Sequence, residues 1–114
     1  MNSVFQMPEG LSDKGQAAWK AIITLLLSED PQMSTGGCKA FYSPAEWRKR
    51  GEAYGCDGEL IVVYDGGDHR PYFTLDSECY ALVERMQQTV GTLGCHIEEC
   101  TTWYAAVYFD GKTA

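Results

Sequence analysis

The sequence has no long apolar run, no secretion-like start and no paired cysteine motif. No apolar stretch approaches the roughly 20 residues that a membrane helix needs. Residues 1–6 lack the basic and apolar regions of a signal peptide. The five cysteines are an odd number without a C-x-x-C pair, which favours buried thiols over a disulfide framework. We therefore expect a cytoplasmic protein that does not enter a membrane.

Basic residues are scarce in the second half of the chain. Residues 1–56 hold six acidic and six basic side chains, whereas residues 57–114 hold ten acidic and three basic ones, so the net charge of −7 belongs to the second half. A negative field of this kind repels nucleic acid and attracts basic protein surfaces. It also suits a solvated surface that only keeps the protein soluble. We expect no direct binding of nucleic acid.

The length of 114 residues and the hydrophobic content of 45% predict one globular domain, residues 1–114. Pro8 and Gly10 indicate that residues 1–10 form a flexible arm. Capping residues and apolar periodicity predict three helices. They run from Ser12 to about Ser28, from Pro44 to about Tyr54 behind a Ser43 cap, and from an Asp76 or Ser77 cap to about Gly94.

β-Branched and alternating segments predict four strands. These are Leu60–Tyr64, a return strand Arg70–Leu75 after the turn Asp65–Asp68, then Cys95–Cys100 and Thr102–Phe109. Both alternate faces of the last strand are apolar, which indicates a central position or an interface. The element order is ααββαββ, and short connections favour an α+β fold with about three helices packed on one face of an antiparallel sheet of about four strands.

One cluster of residues in the sequence has the composition of a catalytic or metal site. Asp65, Asp68, His69 and Asp76 are types that bind hard cations or perform acid–base chemistry. However, Asp-Gly-Gly-Asp is also what a tight turn requires, and Asp76 suits a helix cap. The segment Ser34–Cys38 lacks the lysine and spacing of a phosphate-binding loop, so we expect no cofactor.

Two further groups favour structural interpretations. Cys95 and His96 should point to opposite faces of a strand, so they should not join Cys100 around one zinc ion. Cys79 has no histidine in a recognisable hydrolase spacing. The basic run Arg48–Arg50 is typical of a solvated helix face. The sequence therefore favours a protein that is not an enzyme.

Three stretches carry a family resemblance. They are Gly36–Trp47 followed by Arg50–Gly55; Asp65–Asp68 with Pro71, Phe73, Leu75 and Asp76; and Glu99–Tyr104 with Ala106 and Tyr108. Together they resemble small proteins carried by phages and prophages. The resemblance implies no catalytic residues. It implies a phage setting, in which small acidic proteins often inhibit bacterial defence systems, as anti-CRISPR proteins do.

The leading hypothesis is a phage accessory protein that binds a host protein in the host cytoplasm, such as a nucleic-acid-binding defence complex. Acidic and aromatic residues would form the contact surface. The predicted charged rim is Asp65, Asp68, Glu98, Glu99 and Asp110, and the predicted aromatic anchors are Tyr72, Trp103, Tyr104 and Tyr108. Two alternatives are a small enzyme or metal-dependent protein using Asp65, Asp68 and His69, and a homo-oligomeric phage structural protein, such as a homodimer.

Overall fold

The computed structural model describes residues 5–110, which form three helices and one four-stranded sheet. All neighbouring strands are antiparallel and lie in the order β1-β2-β4-β3. The α+β class, the three helices and the four antiparallel strands are confirmed. The elements are α1 (Asp13–Glu29), β1 (Phe41–Tyr42), α2 (Pro44–Lys49), β2 (Leu60–Val63), α3 (Tyr80–Gly91), β3 (Cys95–Glu99) and β4 (Tyr104–Phe109), with 3₁₀ turns at Arg70–Tyr72 and Leu75–Ser77.

The first two helices begin where the sequence predicts. The Ser12 hydroxyl oxygen accepts a hydrogen bond from the Gly15 N–H at 3.0 Å. At α2, Ser43 Oγ accepts from the Glu46 N–H at 3.1 Å, and Glu46 Oε1 accepts from the Ser43 N–H at 3.0 Å. This capping box satisfies two amides that the helix itself cannot. Helix α2 ends before the predicted Tyr54 and is followed by Gly51 with a φ of +82°.

The predicted return strand Arg70–Leu75 is wrong. The Tyr72 and Phe73 amides donate to the carbonyls of His69 and Arg70, three residues back, so they are used inside 3₁₀ turns. Pro71 has no N–H to offer a sheet. The fourth strand is β1, and the observed order α1-β1-α2-β2-α3-β3-β4 replaces the predicted ααββαββ.

Helix α3 begins four residues after the predicted cap at Asp76. Thr74 is the capping residue of this region, because its hydroxyl accepts from the Asp76 N–H at 3.2 Å and starts the short turn Leu75–Ser77. Glu78 then adopts a left-handed conformation with a φ of +57°, which interrupts the helical path before Tyr80.

Helices pack on both faces of the sheet. Helices α1 and α3 cover one face, where Ile22 and Met86 pack with strand residues such as Val62 and Val107. The prediction of helices on one face holds for these two, but α2 packs on the opposite face through the fully buried Trp47. Strand β4 is central, as its two apolar faces predicted.

The predicted arm at residues 1–10 is packed where the structure describes it. Phe5 is 2% exposed and its ring lies 5.9 Å from that of Phe41, in an edge-to-face arrangement. Pro8 is also buried. Residues 5–10 therefore belong to the folded body, and the remainder of the predicted arm, 1–4, lies outside the described residues.

Two helical glycines provide a matched test of packing. A Cβ on Gly15 would lie 2.4 Å from the Glu59 carbonyl oxygen, whereas one on Gly91 would meet nothing within 4 Å. We expect Gly91→Ala to stabilise the protein by about 0.5–1 kcal/mol, as alanine usually does in a helix. Gly15→Ala should destabilise it by roughly 1–3 kcal/mol, because overpacking outweighs helix propensity. Urea unfolding of both variants measures this difference, and stabilisation by both would contradict the packing of α1 on Glu59.

Candidate acidic interface

The nine predicted contact residues do not form one surface. Tyr72 and Tyr104 are 6% and 1% exposed, so the prediction that they are surface anchors is wrong. The Tyr104 hydroxyl donates to the Tyr54 carbonyl at 3.0 Å, and the Tyr72 hydroxyl donates to Glu29 Oε1 at 3.4 Å. Both rings therefore serve packing, with the hydroxyl group anchored to the protein itself.

Four predicted residues lie at one end of the sheet, where β2 ends and β4 begins. Asp65 is exposed there, and Asp68 Oδ2 accepts from the Ser34 N–H at 3.0 Å. Glu99 Oε2 accepts from the Thr74 hydroxyl at 2.9 Å. Trp103 is half-buried, with its ring 5.8 Å from that of Trp47. The carboxylates of Asp68 and Glu99 thus hold loops in place. The residues at this end are Asp65, Asp68, Glu99 and Trp103.

The other three predicted residues come together at the β3–β4 edge. Glu98, Tyr108 and Asp110 surround His96, whose ring stacks on that of Tyr108 at a centroid distance of 5.6 Å. The charge of the Asp57 carboxylate acts on the Tyr108 hydroxyl and contributes to its raised pKa. We call this group of five residues, Asp57, His96, Glu98, Tyr108 and Asp110, the acidic patch.

Strand register explains why these side chains meet. His96 is paired with Tyr108 across the antiparallel ladder, so both point to the same sheet face, and Glu98 follows two residues later on that face. This is the face that Trp47 covers over β2 and β4. Helix α2 is only six residues long and does not cover the whole face. The side chains of His96, Glu98 and Asp110 are 40%, 61% and 55% exposed, respectively.

His96 is arranged to carry a proton. Its Nε2 lies 2.9 Å from Glu98 Oε2, and its Nδ1 contacts Asp110 Oδ1. A neutral imidazole has only one N–H, so donating to both carboxylates requires the protonated ring. The hydrogen bond to Glu98, followed by that to Asp110, therefore raises the pKa of His96 above its usual value.

The negative field of the patch also acts on its tyrosine and on a neighbouring thiol. Partial burial raises the pKa of Tyr108 to about 12, and the charges of Cys100, Asp57 and Glu98 add to the shift. Burial is the main cause that raises the pKa of Cys100 to about 11, and the negative charge of Glu98 is the next largest cause. Both groups remain neutral at physiological pH, and Cys100 is a poor nucleophile because the reactive thiolate is suppressed.

The proposed Asp65, Asp68 and His69 cluster is not assembled as an active site. His69 is fully buried, and its Nε2–H donates to the Val63 carbonyl at 2.8 Å. Burial lowers the pKa of His69, which keeps the ring neutral. Its Nδ1 is buried without a hydrogen-bond partner, and Phe5 and Phe73 flank the ring. In the enzyme alternative, His69 therefore cannot serve as a base that reaches a substrate from solvent.

The other candidate site residues from the sequence have structural roles. Cys95 packs in the core beneath α1 and α3, whereas His96 points to the opposite face, so the two do not converge. The Arg48 guanidinium donates to the Cys56 carbonyl at 2.6 Å, and that of Arg50 lies 4.7 Å from the centre of the Trp47 ring. Within residues 5–110, no three His, Cys, Asp or Glu side chains are grouped to hold a metal ion.

The two histidines should affect stability with opposite dependence on pH. The raised pKa of His96 means that its contribution is present below about pH 6.5, the unfolded value, and is lost as the pH rises through the folded value. The lowered pKa of His69 means that its contribution is present above about pH 6.5 and is lost as the pH falls through the folded value.

Histidine ring resonances followed by NMR between pH 4 and 9 will give both pKa values, since the chain has only two histidines. We expect His96→Gln to lose more stability at pH 5.5 than at pH 8. Equal titration of the two rings would contradict the burial of His69.

No family model, curated protein or solved structure matches this chain. Among the described residues, no helix has both the length and the apolar character needed to cross a bilayer. The acidic patch is a group in which negative charge, aromatic area and solvent access coincide.

Proposed function

We propose that this protein binds a basic protein surface through the acidic patch. The observation that carries the proposal is the half-buried stacked pair His96–Tyr108, bordered by the exposed carboxylates of Asp57, Glu98 and Asp110. A tyrosine ring supplies contact area at low entropic cost, and the surrounding charges select a basic partner and speed its approach.

Ion pairing elsewhere on the surface supports this assignment. The basic side chains Lys39, Arg50, Arg70 and Arg85 pair with Glu46, Glu52, Asp76 and Glu29, respectively. Glu98 instead pairs with a histidine, which loses its charge above its own pKa. Above the pKa of His96, the Glu98 carboxylate therefore keeps a negative charge that a lysine or arginine side chain of a partner can neutralise.

The biological setting we propose is a phage or prophage accessory factor acting in the bacterial cytoplasm. The resemblance of three sequence segments to phage proteins supports this setting. The fitting target is the nucleic-acid-binding surface of a defence nuclease, where the patch would compete with DNA or RNA as an anti-CRISPR-like inhibitor does. A negative aromatic surface offers such a target the charge and stacking that it uses on nucleic acid.

The test is affinity capture of the tagged protein from a bacterial lysate, followed by mass spectrometry and competition with DNA. With a captured nuclease, we expect affinity to fall steeply with salt and Glu98→Lys to slow association. Asp65→Lys is the matched control, because it makes the same change of charge outside the patch, just after the end of β2, and should have a smaller effect. Affinity that is independent of salt and unchanged by Glu98→Lys would refute the proposal.

A further inference from the structure

A second exposed feature lies on the opposite side of the sheet from the acidic patch. Among residues 5–110, four large apolar side chains are exposed, and two of them, Leu75 and Tyr80, lie within one short turn. They are 54% and 61% exposed. We call this segment, residues 75–80, the 75–80 turn. Isolated exposed apolar residues are common, whereas two within six residues concentrate apolar area in one short segment.

The turn is held rigidly by the body of the protein. The Glu99 carboxylate accepts from the Thr74 hydroxyl at 2.9 Å and from the Leu75 N–H at 3.4 Å. Within the turn, the Glu78 N–H donates to the Leu75 carbonyl at 2.9 Å. Leu75 is therefore displayed on an ordered backbone, and a partner would bind without the entropic cost of ordering it.

Exposed carboxylates lie close in sequence to both apolar side chains. Asp76 and Glu78 lie between them in sequence and are exposed. Glu84 is also exposed and lies four residues after Tyr80, on the same face of α3. Arg70 is 3.8 Å from Asp76, a long ion pair at the surface. The turn thus combines an aliphatic side chain, an aromatic ring and negative charge.

We propose that the 75–80 turn is a second docking surface, which takes an arginine-bearing, partly apolar segment of the same basic partner. This inference rests on the proposed function and adds a second site to it. A guanidinium can stack on the Tyr80 ring while it pairs with Glu84 or Glu78, a combination for which arginine is better suited than lysine. Leu75 would fill an apolar pocket of the partner.

Strand alternation separates this surface from the patch. Glu98 and Glu99 are neighbours on β3 and point to opposite sheet faces, so one belongs to the patch and the other supports the turn. A partner that uses both surfaces must reach around the β3 edge. At that edge, the Gln87 side chain donates to the Ile97 carbonyl at 2.7 Å and accepts from the Ile97 N–H at 2.9 Å.

The experiment is an NMR titration of ¹⁵N-labelled protein with a synthetic peptide of alternating arginine and leucine. A peptide of alternating arginine and serine is the control for charge alone. We expect amide shifts in residues 75–84 with the first peptide and much smaller ones there with the second. Leu75→Ser and Tyr80→Ser should each weaken binding of the first peptide roughly five-fold or more.

Tyr54→Ser is the matched control, since Tyr54 is 60% exposed but lies outside the turn. It should leave the affinity unchanged. Glu78→Gly removes a carboxylate while permitting the same left-handed backbone, and it should also weaken binding. The spectrum of each free variant shows whether it is folded.

The outcomes separate the two proposals. Shifts in residues 75–84 that the turn variants abolish support the second surface. Shifts confined to the patch overturn it and leave the proposed function standing. Concentration-dependent shifts of the turn without peptide would assign it to a second copy of this chain and overturn the proposal, as would the absence of any shift there.

Discussion

Replacing Trp47 with alanine should destabilise the protein by about 3–5 kcal/mol, which is a large part of the roughly 5–15 kcal/mol that a domain has in total. Trp47 is fully buried, and its ring lies 4.8 Å from those of both Tyr42 and Tyr104. Trp47 is the one α2 side chain that is buried. Its removal would leave a cavity over Ile61 and Val63. Thermal unfolding should begin more than about 10 °C lower.

Two variants show whether the loss comes from this cavity. Trp47→Phe keeps an aromatic ring and should lose clearly less stability than Trp47→Ala. Trp103→Ala removes a half-buried ring of the same cluster and should also lose less. A Trp47→Ala protein within about 1 kcal/mol of the parent would mean that α2 contributes little to the second face.

The elements that the sequence predicted well are those with local signals. Ser12 and Ser43 mark helix starts because their side chains bond to amides only three residues away, and such contacts are visible in sequence. The central position of β4 also followed from its own residues, since every position from Trp103 to Phe109 is apolar or aromatic and both faces of the strand are therefore apolar.

The elements that were missed depend on distant partners. Strand β1 has only two residues and exists because Phe41 pairs with Val62, some twenty positions later. The segment after His69 has strand-like composition, but the amides of Arg70, Tyr72 and Phe73 donate to carbonyls three residues back. Short strands and 3₁₀ turns lack the periodicity on which sequence prediction depends.

The candidate site shows the same division. Charge asymmetry placed the acidic residues in the second half, and Glu98, Tyr108 and Asp110 do meet. His96 and Asp57 were missed as members of the group, because their position depends on the register between β3 and β4 and on the path of the loop before β2. The alternation of His96 and Glu98 along one strand was the available signal.

The second face of the sheet connects the fold to the proposed function. Trp47 buries the β2 and β4 parts of this face, whereas His96 and Glu98 on β3 lie outside that cluster. Helix α2 ends at Lys49, before Gly51, and the Glu98 side chain on the uncovered part of the face is 61% exposed. The stable half of this face is therefore apolar, and the half that we propose to bind a partner is charged.

Replacing Phe5 with alanine should cost about 3–5 kcal/mol, although the sequence places this residue in a flexible arm. Phe5 is 2% exposed and lies 5.9 Å from the ring of Phe41 and 5.4 Å from that of His69. Met7 offers the control: it is 41% exposed, and Met7→Ala should change stability by no more than about 0.5 kcal/mol. Urea unfolding of the two variants compares the buried and exposed positions of one short segment.

The same substitution should also change the titration of His69. Burial is the main cause of its lowered pKa, and Phe5 is one of the rings that exclude water from it. Opening this side should raise the pKa of His69 toward its ordinary value of about 6.5, while His96, held by Glu98 and Asp110, should titrate as before. If Phe5→Ala lowers stability without moving the His69 pKa, the ring supports the core but does not shield the histidine. If it changes neither, the first described residues do not pack on the domain.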